Sequence, residues 1–105
     1  MRVALWLTES ARKDLDEIQA YCLSLSPEAS SRVRQKFAET FDRLRRQPNL
    51  GHRRTDLVGG PYLIYRVFSY LLIYKVEHGR LTVARVIHAA RNVQALLEAH
   101  DATEE

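Results

Sequence analysis

Two groups of side chains in this 105-residue sequence have the types and spacing to do chemistry. The first is Arg43, Arg45, Arg46, His52, Arg53 and Arg54. Guanidinium groups clustered in this way suit an anion, either a phosphate or acidic side chains. The same residues have a plainer use, because basic side chains at a helix C-terminus complement its dipole and loop residues sit in solvent. The second group is Arg85-Val86-Ile87-His88-Ala89-Ala90-Arg91-Asn92. On a regular strand Arg85 shares a face with Val83 and Ile87, and His88 shares the other with Ala84 and Val86. An arginine flanked by apolar residues in mid-strand needs an open sheet face or a buried carboxylate. Asp56 and Glu77 are the expected carboxylates. A ribonuclease would use such an arginine to stabilise a pentacoordinate phosphate, with a general base and acid nearby. A plainer reading makes Arg85 half of a structural ion pair and His88 a strand-end histidine with a satisfied hydrogen bond.

The remaining reactive side chains point to less. His52, His78, His88 and His100 lack metal-ligand spacing, and neither a metal nor a cofactor is expected. The single cysteine, Cys22, can form no internal disulfide, and its place on an apolar helical stripe makes it a small buried hydrophobe. There is no glycine-rich phosphate loop, nucleophile elbow or recognisable carboxylate pair. Tyr62, Tyr65, Tyr70 and Tyr74 fall in strand-like segments, where tyrosine is an ordinary residue.

These groups must be positioned by a short series of elements. Val3, Leu5 and Leu7 alternate and predict a first strand. Thr8 or Ser10 then offers a helix cap, and Ala11, Leu15, Ile18, Cys22 and Leu25 form one helical stripe. Ser26-Pro27 is a cap followed by a first-turn proline, so a second helix begins there. Its stripe is Val33, Phe37, Phe41 and Leu44, and it runs to about Arg46. The short connection predicts an antiparallel helical hairpin. Pro48-Asn49-Leu50-Gly51 stops the second helix, and 48–61 is the longest irregular stretch. Residues 62–68, 70–76 and 81–88 read as strands, the last two joined by a turn at Glu77-His78-Gly79-Arg80. Val93, Leu96 and Leu97 predict a short helix over 91–100. The order is β-α-α-β-β-β-α, an α+β fold. The helical hairpin should cover one face of a small, mainly antiparallel sheet and leave the other at least partly open.

Length and composition bound the rest. The chain is one domain of 12.2 kDa, with 46% hydrophobic and 28% charged residues, as in a soluble globular protein. We place the domain at 1–97 and an acidic tail at 98–105. Four of the thirteen acids lie in that tail. Residues 1–97 therefore carry sixteen basic against nine acidic side chains, thirteen of the basic ones being arginine. Such a surface suits acidic partners. No apolar run approaches the roughly 20 residues of a membrane span, and the N-terminus turns polar too soon for a secretion signal. A lone cysteine fits a reducing, cytoplasmic setting.

Several segments in order resemble a known family. They are 7–18 (Leu7-Thr8-Glu9-Ser10-Ala11-Arg12-Lys13-Asp14-Leu15-Asp16-Glu17-Ile18), Ser26-Pro27, Leu44, Pro48-Asn49-Leu50-Gly51 and Arg54-Thr55-Asp56-Leu57. Tyr70-Leu71-Leu72-Ile73-Tyr74 and the Arg85–Asn92 segment complete the series. Together, over about residues 3–97, they resemble the ParE branch of the ParE/RelE toxin superfamily, whose fold has the same element order. The resemblance implies a type II toxin that poisons DNA gyrase and is neutralised by a ParD-like antitoxin in a hetero-oligomer. It implies no membrane association and no sequence-specific nucleic-acid binding. Relatives of the RelE type instead cut mRNA on the ribosome, which is the alternative. In that case the residues concerned would be Arg85, His88 and Arg91. Arg91 stands roughly where the RelE pattern has a tyrosine, and the strand alternation puts His88 on the wrong side to work with Arg85. This departure favours the ParE reading, as a non-enzymatic toxin with no catalytic residues. The partner-binding residues would then be Arg53, Arg54, Arg85 and Arg91. Asn92 departs from the ParE pattern, where an acidic residue often follows the arginine.

Overall fold

Thr8 sets the start of the first helix and ties it to the sheet. Its Oγ1 accepts from Ala11 N at 3.0 Å, capping the helix, and donates to the carbonyl of Ala84 at 2.8 Å. Its own N–H donates to Val83 O at 3.1 Å. The structure is a computed structural model that describes residues 2–54 and 59–89. Its elements are β1 (Ala4–Leu7), α1 (Glu9–Leu25), α2 (Pro27–Arg46), a short 3-10 turn (Pro48–Leu50), β2 (Leu63–Val67), β3 (Tyr70–Glu77) and β4 (Arg80–His88). The helix expected over 91–100, the tail and the domain boundary near residue 97 lie outside the described residues.

Ser26 separates the two helices and serves both. Its N–H closes α1 on Cys22 O at 3.1 Å, and its Oγ accepts from Ala29 N at 3.0 Å to cap α2. Extended backbone at Ser26 followed by Pro27 ends one helix and begins the other within a single residue. The stripes expected from the spacing are buried at Ala11, Ile18, Cys22, Val33, Phe37 and Leu44, while Leu15 and Phe41 pack at the margin. Leu25 departs from the expectation, being 62% exposed. The stripe of α1 leaves the core after Cys22.

The sheet has the order β1-β4-β3-β2. Strands β2, β3 and β4 form the expected antiparallel meander. Strand β1 lies parallel beside β4, and the helical hairpin supplies the long crossover that parallel pairing requires. Leu63, Val67, Leu72, Tyr74, Leu81, Val83 and Val86 face the helices and form the main core with them. The opposite face divides in two. Ile64, Leu71, Ile73, Ala84 and Ile87 form a second buried cluster. Trp6 is exposed, with the Arg80 guanidinium 5.1 Å from its ring centre. No described helix is long and apolar enough to cross a membrane.

Strand β4 is not regular. Ile73 pairs with Arg85 but Tyr74 pairs with Val83, so Ala84 is an extra residue, a β-bulge. The bulge corrects the expected alternation. Val83 and Val86 belong to the helix-side core, and Ala84 and Ile87 to the opposite cluster. Strict alternation would have put Val83 with Ile87 and Ala84 with Val86. Pairing with β1 also ends at Val83, so β4 continues past the bulge with a bare edge turned toward α1.

Candidate functional site

Asp14 fills that bare edge. Its Oδ2 accepts from the Val86 backbone N–H at 2.9 Å, taking the place of a strand carbonyl. The same oxygen accepts from Arg85 Nε at 2.7 Å, and Oδ1 accepts from Arg85 Nη2 at 3.0 Å. This is a two-pronged carboxylate–guanidinium fork with side chains 10% and 16% exposed. The hydrogen bonds that Arg85 donates to Asp14 hold the guanidinium charge and push its pKa up, against the opposing effect of burial. The expected partners were Asp56 and Glu77. Asp56 is outside the described residues, and Glu77 lies 3.5 Å from Lys75 instead.

Beside this pair lies a cleft of about 170 Å³ between α1 and the ends of β3 and β4. Asp14, Glu17 and Arg85 supply its charges. Tyr21 and Tyr70 are its aromatic walls, and Ile18, Val86 and Ile87 its apolar lining. His88 also lines it, edge-on to Tyr70 with ring centres 5.8 Å apart. The expectation that His88 lies on the wrong side to work with Arg85 is therefore corrected. Pairing with β3 is regular from Arg85 to His88, so the alternation holds between them; both line the cleft because it lies at the bare edge of β4. Burial, and after it the neighbouring Cys22 and Tyr21, push the Tyr70 phenol above its ordinary pKa.

The six-residue basic cluster at the end of α2 does not converge on one point. Arg43 donates to Tyr65 Oη at 3.3 Å, and Arg45 Nε donates to Val3 O at 3.1 Å, pinning β1. Arg46 pairs with Asp42, which also takes Arg2 at 3.2 Å. The His52 backbone bridges Ile64, with N–H···O distances of 2.9 and 2.8 Å. Arg53 Nη1 donates to Gly60 O at 3.0 Å. Arg53 and Arg54 are exposed on the loop, away from the cleft lining. Arg91 lies outside the described residues. Among the described residues, no group of three or more His, Cys, Asp or Glu side chains is placed to hold a metal ion.

The family model for the ParE toxin of the type II toxin–antitoxin system parDE matches residues 5–93. The chain belongs to the ParE toxin family. This toxin is 25% identical over 79 residues to Toxin RelE3 of Caulobacter vibrioides, covering 75% of this chain and 86% of that protein. Among solved structures it resembles the chromosomal ParDE toxin–antitoxin system from P. aeruginosa. There the TM-score is 0.70 at 21% identity, over 83% of this chain and 96% of that one. It also resembles the RelBE2 toxin–antitoxin complex from Mycobacterium tuberculosis. That match has a TM-score of 0.57 at 27% identity, over 84% of this chain and 99% of that one. It is thus a type II toxin–antitoxin toxin of the ParE/RelE superfamily.

Two residues of the ParE toxin's architecture lay outside the sequence reading. Asp14 enters the sequence analysis only as one residue of the 7–18 segment. It sits three residues after Ala11 and four before Ile18, on the buried stripe itself. A carboxylate there demands a buried cation, and that was the available signal. Tyr74 was an ordinary strand tyrosine. It is fully buried, its Oη donates to Pro48 O and accepts from Gly51 N, both at 2.8 Å, and it anchors the loop after α2. No local pattern marked it.

Proposed function

We propose that this toxin arrests growth by binding DNA gyrase, as a ParE-type poison without a catalytic residue of its own. The observation that carries the proposal is the Asp14–Arg85 fork. A nuclease would aim the strand arginine at the scissile phosphate, where its charge must be free to meet the transition state. Here two prongs of that guanidinium are committed to a buried carboxylate, and Glu17 adds a second negative charge in the cleft. The match to the ParE family model supports the same reading.

A specific observation keeps the mRNA endoribonuclease as a second reading. Arg85, His88 and Tyr70 line one cleft, as an acid–base site would need. Purified toxin is to be added to gyrase supercoiling and cleavage assays, and in parallel to a translating extract probed for cut mRNA. Trapped cleavage complexes with intact mRNA are expected. Cut mRNA with unaffected gyrase, abolished in His88→Ala, would replace the first reading by the second.

A cognate ParD-like antitoxin is the proposed regulatory partner, and both solved relatives come from toxin–antitoxin pairs. We place its acidic, partly helical segment along the exposed Arg53 and Arg54 and the loop that carries them, with Arg91 contributing beyond β4. Arg85 contributes by shaping the cleft wall through Asp14. Charge reversal at Arg53 and Arg54 together should weaken antitoxin binding and its salt dependence, measured by titration calorimetry. Unchanged binding would remove the electrostatic part of this placement. The cytoplasm is the proposed compartment, since both targets are found there.

A further inference from the structure

We infer that the cleft between α1 and the β3–β4 end is a receptor for a basic side chain, presented by a protein partner with apolar neighbours. This goes beyond the gyrase reading, and does not depend on it.

The charge in the cleft has the wrong sign for an acidic ligand. Among the described residues of the lining Arg85 is the only fixed cation, and Asp14 neutralises it through a two-pronged fork. Glu17, one turn further along α1, makes no hydrogen bond or ion pair among the described residues and is exposed on the rim. An entering carboxylate or phosphate would meet Glu17 and an arginine already paired. An entering guanidinium or ammonium would meet Glu17, whose carboxylate attracts Arg85 through space but forms no hydrogen bond or ion pair among the described residues.

The other walls suit such a group. Tyr21 and Tyr70 offer aromatic rings, against which a guanidinium gains cation–π attraction. Ile18, Val86 and Ile87 provide apolar surface for the methylene stem of a long basic side chain. About 170 Å³ holds the end of such a side chain, but not a folded element. The flanking surface is also apolar. Tyr21 and Leu25 stand one turn apart on α1 and are 60% and 62% exposed. Large side chains left this open beside a cleft provide contact area for the residues on either side of the basic one.

The test is a titration of the full-length toxin, followed by amide NMR at low salt. The probes are three blocked tetrapeptides that carry arginine, neutral citrulline or glutamate between leucines. Saturable shifts at Glu17, Tyr21, Tyr70 and Val86 are expected with the arginine peptide, about five-fold tighter than with citrulline. Glu17→Gln, checked for an unchanged fold, should shrink the preference to the part the aromatic rings supply. Tighter binding of the glutamate peptide, no saturable shifts in the cleft, or an arginine preference undiminished in Glu17→Gln would each overturn the proposal. None of these outcomes depends on gyrase, mRNA or antitoxin.

Discussion

Asp14 and Tyr74 solve the same problem beside two neighbouring strands, β4 and β3, with different chemistry. Each sends a buried polar side chain to backbone groups that no regular element satisfies. Asp14 reaches from α1 to the Val86 N–H that β1 leaves bare, and neutralises Arg85 in the same contact. Tyr74 reaches from β3 to both ends of the turn after α2, taking Gly51 N–H and giving its proton to Pro48 O. The first is an ion pair at the wall of a cleft. The second is a neutral hydroxyl with its ring sealed in the core. A buried charge and a buried hydroxyl can hold comparable backbone geometry, but they fail differently. Losing one ion strands the other, whereas losing a hydroxyl strands only neutral groups.

The largest effect should therefore come from Asp14→Ala. It leaves the Arg85 guanidinium uncompensated and Val86 N–H without its acceptor. A loss of about 3–5 kcal/mol is expected in urea denaturation. Replacing both ions, with Asp14→Leu and Arg85→Met together, should recover most of that loss, since the pair's net contribution is small once desolvation is included. If Asp14→Ala unfolds within about 0.5 kcal/mol of the parent, a size typical of surface substitutions, the contrast with Tyr74 disappears.

How far these two sites could be foreseen depends on whether the signal is local. Ser26-Pro27 foretold the helix boundary because cap and first-turn proline act within one residue of each other. The hairpin and the meander were legible for the same reason, since amphipathic spacing and turn residues are properties of short windows. The bulge at Ala84 was not, because it depends on the pairing of β4 with β3 and on where β1 stops. Strict alternation therefore misplaced Val83 and Ala84 relative to Val86 and Ile87. Asp14 and Arg85 are 71 positions apart, and only the crossover through both helices brings them together. The arginine cluster shows the converse. Proximity in sequence suggested one anion site, but helix geometry and loop hydrogen bonds send its members to Val3, Tyr65, Asp42 and Gly60.

The Tyr74 contact can be tested by adding an atom as well as by removing one. A Cβ at Gly51 would lie 2.6 Å from Tyr74 Oη and 2.9 Å from Cε1. The ring is buried and cannot swing away, so Gly51→Ala should cost about 1–3 kcal/mol through overpacking. Tyr74→Phe removes the hydroxyl and strands Gly51 N–H and Pro48 O, also for about 1–3 kcal/mol. The two substitutions share one contact, so their combination should cost less than the sum. Strict additivity in thermal or urea unfolding would show that Gly51 is required for some reason other than the approach of Tyr74.

The smallest effect separates the two sites by pH. Burial raises the Tyr74 phenol above its ordinary 10.0, with the Gly51 N–H bond pulling the other way. The folded state therefore holds this proton more tightly than the unfolded chain does. The resulting stabilisation is fully present below pH 10 and is lost as pH rises through the folded value. One such group can change stability by at most about 1.4 kcal/mol per pH unit. Arg85, whose already high pKa is raised further by its bonds to Asp14, stays charged through this window, so the Asp14 contact should not respond. Tyr70 is also raised and contributes an alkaline loss of the same sign from the cleft side. Urea midpoints taken between pH 8 and 11 should fall in the parent and fall less steeply in Tyr74→Phe, where Tyr70 still contributes. Identical slopes in the two proteins would mean that the Tyr74 proton is held no more tightly in the fold than in water, and that burial of the phenol does not prevail over the Gly51 N–H bond.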